Sequence, residues 1–479
     1  MDFELQLGKR GELGRRSPAD GTRRLLVLGD FAGRGSRGGA AAREPLATRP
    51  IIKVPQGGEG VDAAIKALSP VLGLPASIAG AAGALEISSL EDFHPDALFR
   101  RLSIFRDPPR APAPDGTMAV GEGDADDVAR LLGKRPAAPS STSSSTPTAS
   151  SAIDDLIGKI IASHVASAPA DAPLDAVALG RVMRAVLHEP AFQALEASWR
   201  ALEVLVSRAD EAVEIALCDV THAELLADLL PDGADAADAG AALDTSALAR
   251  RVLSPPGGRA FATLIGDFAF GPGAEDCALL ARLGALAAAA RAPFIAGAAP
   301  ALVGCRALAG ANDPARWEAL APDDARRWQA LRRSPAASWI GLALPRFLAR
   351  APYGAKTTAI DAFAFEEIDG RPAPETLCWG NAAFLGALVL ARTEEGGDVE
   401  EIDDLPFFSF RSDGDVEMYP TAEVFWGERA VAAALSRGLI PALSARDRNA
   451  VRLPRLQSIG DPPRALGGSA DSGDEDGAA

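Results

Sequence analysis

The stretch Ala262-Thr-Leu-Ile-Gly-Asp-Phe-Ala-Phe270 decides how the rest of this sequence is read. A short apolar run rich in β-favouring side chains predicts a strand over 262–270. Residues 275–290, whose Ala/Leu run from Ala278 onward is broken only by Arg282 and Gly284, predict a helix, and 293–298 predict a second strand. Strand, helix and strand in that order favour a parallel pair joined by a right-handed crossover. Working outward, 213–217, 338–344 and 416–418 read as further strands. Residues 153–165 and 174–187 are amphipathic, and Phe192, Leu195, Trp199, Leu202 and Val206 recur at the three- and four-residue spacing of a buried helix face. The fold class is therefore α/β, a sheet flanked by helices and opened by a helical entry.

Towards the N-terminus the same patterns recur on a smaller scale. Phe3, Leu5 and Leu7 alternate with polar residues as in a half-buried strand, and Leu25-Leu26-Val27-Leu28 forms a continuous apolar run ended by Gly29-Asp30. Residues 61–68 and 95–102 read as helices and 84–87 as a strand. Between the two regions lies Pro139-Ser-Ser-Thr-Ser-Ser-Ser-Thr-Pro-Thr-Ala-Ser-Ser151, which offers no side chain large enough to offset the entropy of ordering it. The organisation expected is a small α/β N-terminal domain over 1–106, a flexible linker over 107–151, a larger α/β domain over 152–460, and a disordered acidic tail over 461–479. Within the linker, 124–134 could form three helical turns, and in the tail 467–479 hold four acidic residues.

Composition limits the partners. The chain has 479 residues, about three domains' worth at roughly 150 each. Its 48 basic and 65 acidic side chains leave a net charge of −17 without a basic block, which argues against nucleic acid and anionic membranes. Aromatic residues are scarce, at 5%, against 48% hydrophobic, so small side chains dominate the packing. Cys218, Cys277, Cys305 and Cys378 form no C-x-x-C pair, which suits a reducing compartment; no stretch reaches the roughly 18 apolar residues of a membrane span, and a cytoplasmic location is expected.

Candidates for chemistry have plainer readings beside them. The glycine-rich segment from Gly29 to Gly39 follows a strand, as phosphate loops do, but has no Lys for a phosphate and no clear helix after it, so it reads as a loop. Asp30 and Asp267 could act as acid or base, though an aspartate after a strand more often caps a turn. His94, His164, His188 and His222 lack ligand spacing, and no metal, cofactor or catalytic residue is assigned. The carboxylates Asp361, Glu366, Glu367 and Asp369, and Glu400, Glu401, Asp403 and Asp404, read as solvated loops; joined across a cleft they would make a carboxylate-dependent hydrolase. Trp199, Trp339 and Trp379 read as packing anchors, Trp339 within a strand. Gly-Asp-Phe-Ala occurs twice, at 29–32 and 266–269, each after an apolar run.

Taken together, an ordered set of segments resembles the large sheath subunit of bacterial type VI secretion systems: Phe192-Gln-Ala-Leu-Glu-Ala-Ser-Trp-Arg200, Thr263–Gly271, Ala289–Gly297, Gly341–Leu348, Pro352-Tyr-Gly354, Phe365-Glu-Glu367 and Trp379-Gly-Asn-Ala-Ala383. Leu26–Gly33 and Leu90-Glu-Asp-Phe-His-Pro95 resemble the small subunit. The resemblance implies a non-enzymatic fusion of both subunits, lacking the usual C-terminal region of the large one. It implies other sheath-like subunits or further copies as partners, with an inner rod, a baseplate and an AAA+ unfoldase as additional ones. An adaptor or cap that binds sheath subunits without polymerising is the alternative.

Overall fold

Strand β1 (Arg23–Gly29) runs through the middle of a seven-stranded sheet whose other long strands come from far along the chain. The structure is a computed structural model and describes residues 22–40, 45–75, 78, 83–105, 176–231, 243–255, 257–392, 400–412, 415–446 and 448–466. The strand expected at 3–7, the helices at 124–134 and 153–165, the Ser/Thr tract, His164 and the 467–479 tail lie outside the described residues. With β2 (Ile51–Val54), β3 (Val213–Asp219), β4 (Thr263–Phe270), β5 (Phe294–Ala298), β6 (Ile340–Leu344) and β7 (Ile440–Pro441), the order is β7-β6-β5-β4-β1-β3-β2. All pairings are parallel except β2 on β3.

Leu25, Leu26, Val27 and Leu28 are all fully buried, and their alternation feeds two cores. Leu25 and Val27 face one layer, built on α1 (Gly60–Leu68), α3 (Ala176–Leu187), α4 (Pro190–Arg208) and α9 (Ala383–Arg392). The short helix α2 (Pro95–Arg101) joins the same layer. Leu26 and Leu28 face the other, built on α5 (His222–Leu229), α6 (Ala247–Leu253), α7 (Ala274–Ala290), α8 (Pro322–Arg333) and α10 (Glu428–Ser436). Strands buried on both faces read as unbroken apolar runs, which is why 25–28 and 264–265 do not alternate with polar residues. The result is a three-layer, doubly wound α/β architecture, within the α/β class that the periodicities predict. Counted along the chain, the first five parallel strands stand in the order 2-1-3-4-5.

Several expectations shift. The apolar runs before and after the linker are not two separate sheets: β1 and β2 precede the linker and share the sheet with β3 to β7, so a break in composition is not a break in the core. Residues 415–418 do form a strand, but in a separate hairpin with 409–412. Trp339 ends a 3-10 turn before β6 instead of lying within it, and it is half-buried. Trp199 is fully buried, as its helical spacing predicts. Its ring meets Phe31 edge-on at 5.0 Å, and its Nε1 donates to the Phe31 carbonyl at 3.1 Å.

Because Trp199 belongs to α4 and Phe31 follows β1, removing the indole opens a cavity between segments from either side of the linker. Trp199→Ala should cost about 3–5 kcal/mol, measured by urea unfolding. Exchange protection in β1 and β4 should disappear in a single transition; two separate transitions would count against one shared core.

Candidate functional site at the seam between the two segments

The seam is first a hydrogen-bonded ladder. Parallel register pairs run from Arg23 with Val213 to Gly29 with Asp219 on one side, and from Leu25 with Thr263 to Leu28 with Gly266 on the other. The two Gly-Asp-Phe-Ala copies therefore lie side by side where the strand order reverses, the position at which sheets of this order usually leave a ligand crevice. Here protein fills it. A Cβ on Gly29 would come within 2.8 Å of the Phe31 ring and 3.0 Å of the Asp267 Cβ, so glycine is what lets the motifs approach. Gly33, at φ +65°, turns the chain back over the strand ends.

The two aspartates have different environments. Asp30 caps its turn, accepting from the Arg34 and Gly35 amides at 2.8 and 2.6 Å. Asp267 lies inside β4, within the stretch read as a strand over 262–270 and beside a register shift, so it does not cap a turn after the strand. Burial raises its pKa. The glycine-rich segment is a turn, as read, and its Arg34 is committed to protein.

Arg34 and Arg49, both before the linker, reach across to two carboxylates after it. Arg34 Nε meets Asp219 Oδ2 at 2.7 Å and Nη1 meets Glu224 Oε1 at 2.5 Å, while Arg49 Nη2 meets Glu224 Oε1 at 2.9 Å. Asp219 also accepts from the Ala32 amide at 2.8 Å. Glu224 closes a capping box with Thr221 at the start of α5, so one carboxylate both ends a helix and holds two arginines. Burial acts to raise Glu224, but hydrogen bonds from Arg49 and Arg34 bring it down to about 2. Burial raises Asp219 despite Arg34.

A second cluster lies on the α4 side. Glu367, expected in a solvated loop, is instead 1% exposed. It takes Arg350 in a two-pronged pair at 2.7 and 3.1 Å and accepts from the Tyr353 amide at 2.7 Å. Arg350 Nε also meets Glu196 Oε1 at 2.7 Å, and Arg200 Nε reaches the same oxygen at 3.2 Å. Burial would raise Glu367, yet the Arg350 charge and hydrogen bonds from Arg350 and the Tyr353 amide hold it at about 2. His94, from before the linker, packs edge-on against Tyr353 at 5.0 Å. Asp96 accepts from the Asp361 and Ala362 amides at 3.0 and 2.9 Å. The motifs Pro352-Tyr-Gly354 and Phe365-Glu-Glu367 thus serve this cluster and the seam.

The other carboxylates and histidines are not brought together. Glu401 pairs with Arg448 at 2.6 Å, Asp403 and Asp404 are exposed, and His222 lies 3.5 Å from Asp276. Among the described residues no group of three or more His, Cys, Asp or Glu is placed to hold a metal ion, and no helix is long and apolar enough to cross a membrane. Sequence reasoning missed Arg34, Arg49, Asp219 and Glu224. The one local signal was the Thr221-x-x-Glu224 capping box.

Comparison with known proteins gives two findings. The sequence model of the VipB family, described as EvpB/VC_A0108, tail sheath N-terminal domain, matches residues 172–459. The type VI secretion system sheath protein TssC1 of Pseudomonas aeruginosa is 30% identical over 309 residues, 58% of this chain and 58% of that protein. The chain thus spans little more than half the length of the curated relative it matches. A tail sheath family is structural and not enzymatic.

The two depressed carboxylates set an acid limit. A carboxylate with a folded pKa below its unfolded one stabilises the fold above the unfolded value and loses that contribution as pH falls through the folded value. Glu224 and Glu367 therefore predict falling stability between pH 4.5 and about 2. The raised Asp219 works in the opposite direction. Urea midpoints across this range should drop steeply in the unaltered chain. Glu224→Gln should be less stable at pH 7 and show a shallower acid slope; an unchanged slope would show that Glu224 does not carry the effect.

Proposed function

Because this chain belongs to the EvpB/VC_A0108 tail sheath family, we propose that it is a structural component of a type VI secretion sheath that carries both subunit roles in one polypeptide. Residues 1–106 take the part of the small subunit, 152–460 that of the large one, and 107–151 join them. The observation that carries this reading is the position of β1. The family match begins at residue 172, yet the sheet inside it lacks a strand between β3 and β4, and that strand is Arg23–Gly29. A sheath-type domain whose central strand comes from outside the matched region is what a fusion of two subunits would produce.

Fusion has a physical consequence. A tether places the pre-linker segment at roughly millimolar effective concentration over its groove, which enforces one-to-one stoichiometry without new contacts. The proposed partners are further copies or related sheath subunits, with an inner rod, a baseplate and an AAA+ unfoldase acting on the assembly in the cytoplasm. Nucleic acid is not among them. A non-polymerising adaptor or cap that binds sheath subunits is the second reading.

Two measurements test the proposal. A protease site introduced within 107–151 should leave the pieces co-purifying after cleavage, because the ladder and the Arg34 and Arg49 pairs do not depend on the linker; separation of the pieces at physiological salt would remove the fusion reading. Electron microscopy of the purified chain, alone and with sheath subunits of the same system, should show tubes. Bound but monodisperse particles would favour the adaptor.

A further inference from the structure

Helix α8 carries four arginines, and two of them stand apart from the rest. Arg326 and Arg333, with Ala325, Gln329 and Ala330, line one open face of the helix. The opposite face buries Trp328 and Leu331, so the helix cannot rotate to hide its charges. Arg327 pairs with Asp324 at 2.6 Å, and Arg332 Nε donates to the Ile459 carbonyl at 2.8 Å. Arg326 meets only Asp323 of the preceding turn, with both side chains about 70% exposed, a pairing that contributes little in water. Arg333 is exposed and has neither an ion pair nor a hydrogen bond among the described residues.

The chain itself returns to this helix. The Asp461 amide donates to the Arg332 carbonyl at 3.0 Å, and Gln329 Nε2 donates to Asp461 Oδ2 at 2.7 Å. Leu466 is then anchored in the core against Gly341. The next thirteen residues, 467–479, contain Asp471, Asp474, Glu475 and Asp476 and no Lys or Arg. At no more than ~3.6 Å per residue, five residues separate Leu466 from Asp461 by at most about 18 Å, and the acidic run can reach roughly 36 Å from Leu466. The helix beside Asp461 is within that radius.

We propose that the acidic run at 471–476 docks on the Arg326/Arg333 face of α8 in the same chain, covering a basic surface that an acidic segment of another protein could take only by displacing it. Each contact is a solvent-facing ion pair and weak alone. The tether supplies the concentration that makes several of them count, and salt screens them together.

Arginine modification by phenylglyoxal, followed by mass spectrometry of the whole protein's peptides, tests this. The comparison is with a variant carrying Asp471→Asn, Asp474→Asn, Glu475→Gln and Asp476→Asn. At low salt, Arg333 should react about threefold more slowly in the unaltered chain, while exposed Arg429 on α10 reacts equally in both. The difference should vanish at about 0.5 M salt, where the Debye length is only a few ångströms, and should not depend on protein concentration. Equal Arg333 rates at low salt would overturn the proposal. Protection that grows with protein concentration would also overturn it, because the tail of a second copy would then be the occupant.

Discussion

Two parallel strands, Val213–Asp219 and Thr263–Phe270, stand too far apart to pair and need a third between them. Everything else in the molecule is arranged around the strand that fills the gap, Arg23–Gly29. Without it, facing rows of buried amides and carbonyls would lose their partners, at about 1–3 kcal/mol for each group left unsatisfied. Both cores would also lose their middle, since Leu25 and Val27 belong to one and Leu26 and Leu28 to the other. A segment with that position cannot be an accessory module. Its removal would expose a slot at the centre of the sheet instead of a free edge.

Charge then secures what the ladder aligns. Apolar burial is indifferent to a shift of two residues along a strand, but the Arg34 and Arg49 pairs with Asp219 and Glu224 are satisfied in one register only. The Arg350 cluster plays the same part deeper in, tying α4 to the loop that carries Tyr353 and Glu367. Buried ion pairs add little net stability when desolvation is counted, whereas breaking one by removing a partner is costly. Their contribution here is to make other arrangements of the same apolar surfaces unfavourable. In a protein proposed as a structural sheath component, a uniquely specified seam matters more than added stability.

How much of this was legible before the fold was known depends on the range of the interaction. The runs at 25–28, 192–206 and 262–298 announce their elements because helix and strand periods are written in neighbouring residues. The edge strands Ile51–Val54 and Ile440–Pro441 were not legible: four and two residues are too few for a period, and only pairing with a neighbour makes them strands. Glu367 misled for a related reason. An acidic residue in Phe365-Glu-Glu-Ile-Asp369 reads as solvated until Arg350, seventeen positions earlier, is found folded against it. Trp339, next to an apolar run, reads as part of a strand that begins one residue later, at Ile340.

By itself the sequence determined the α/β class, the places of most long elements, a net charge of −17 without a basic block, and the ordered motifs that point to a sheath family. These rest on composition and on spacings of a few residues, which local sterics and hydropathy convert directly into structure. Only the tertiary structure decided that a strand before the linker lies between two strands after it, and that four charged residues scattered from 34 to 224 form one latch. Pairing of that kind depends on which surfaces remain unsatisfied once the local elements have formed, a property of the whole chain and not of any window along it.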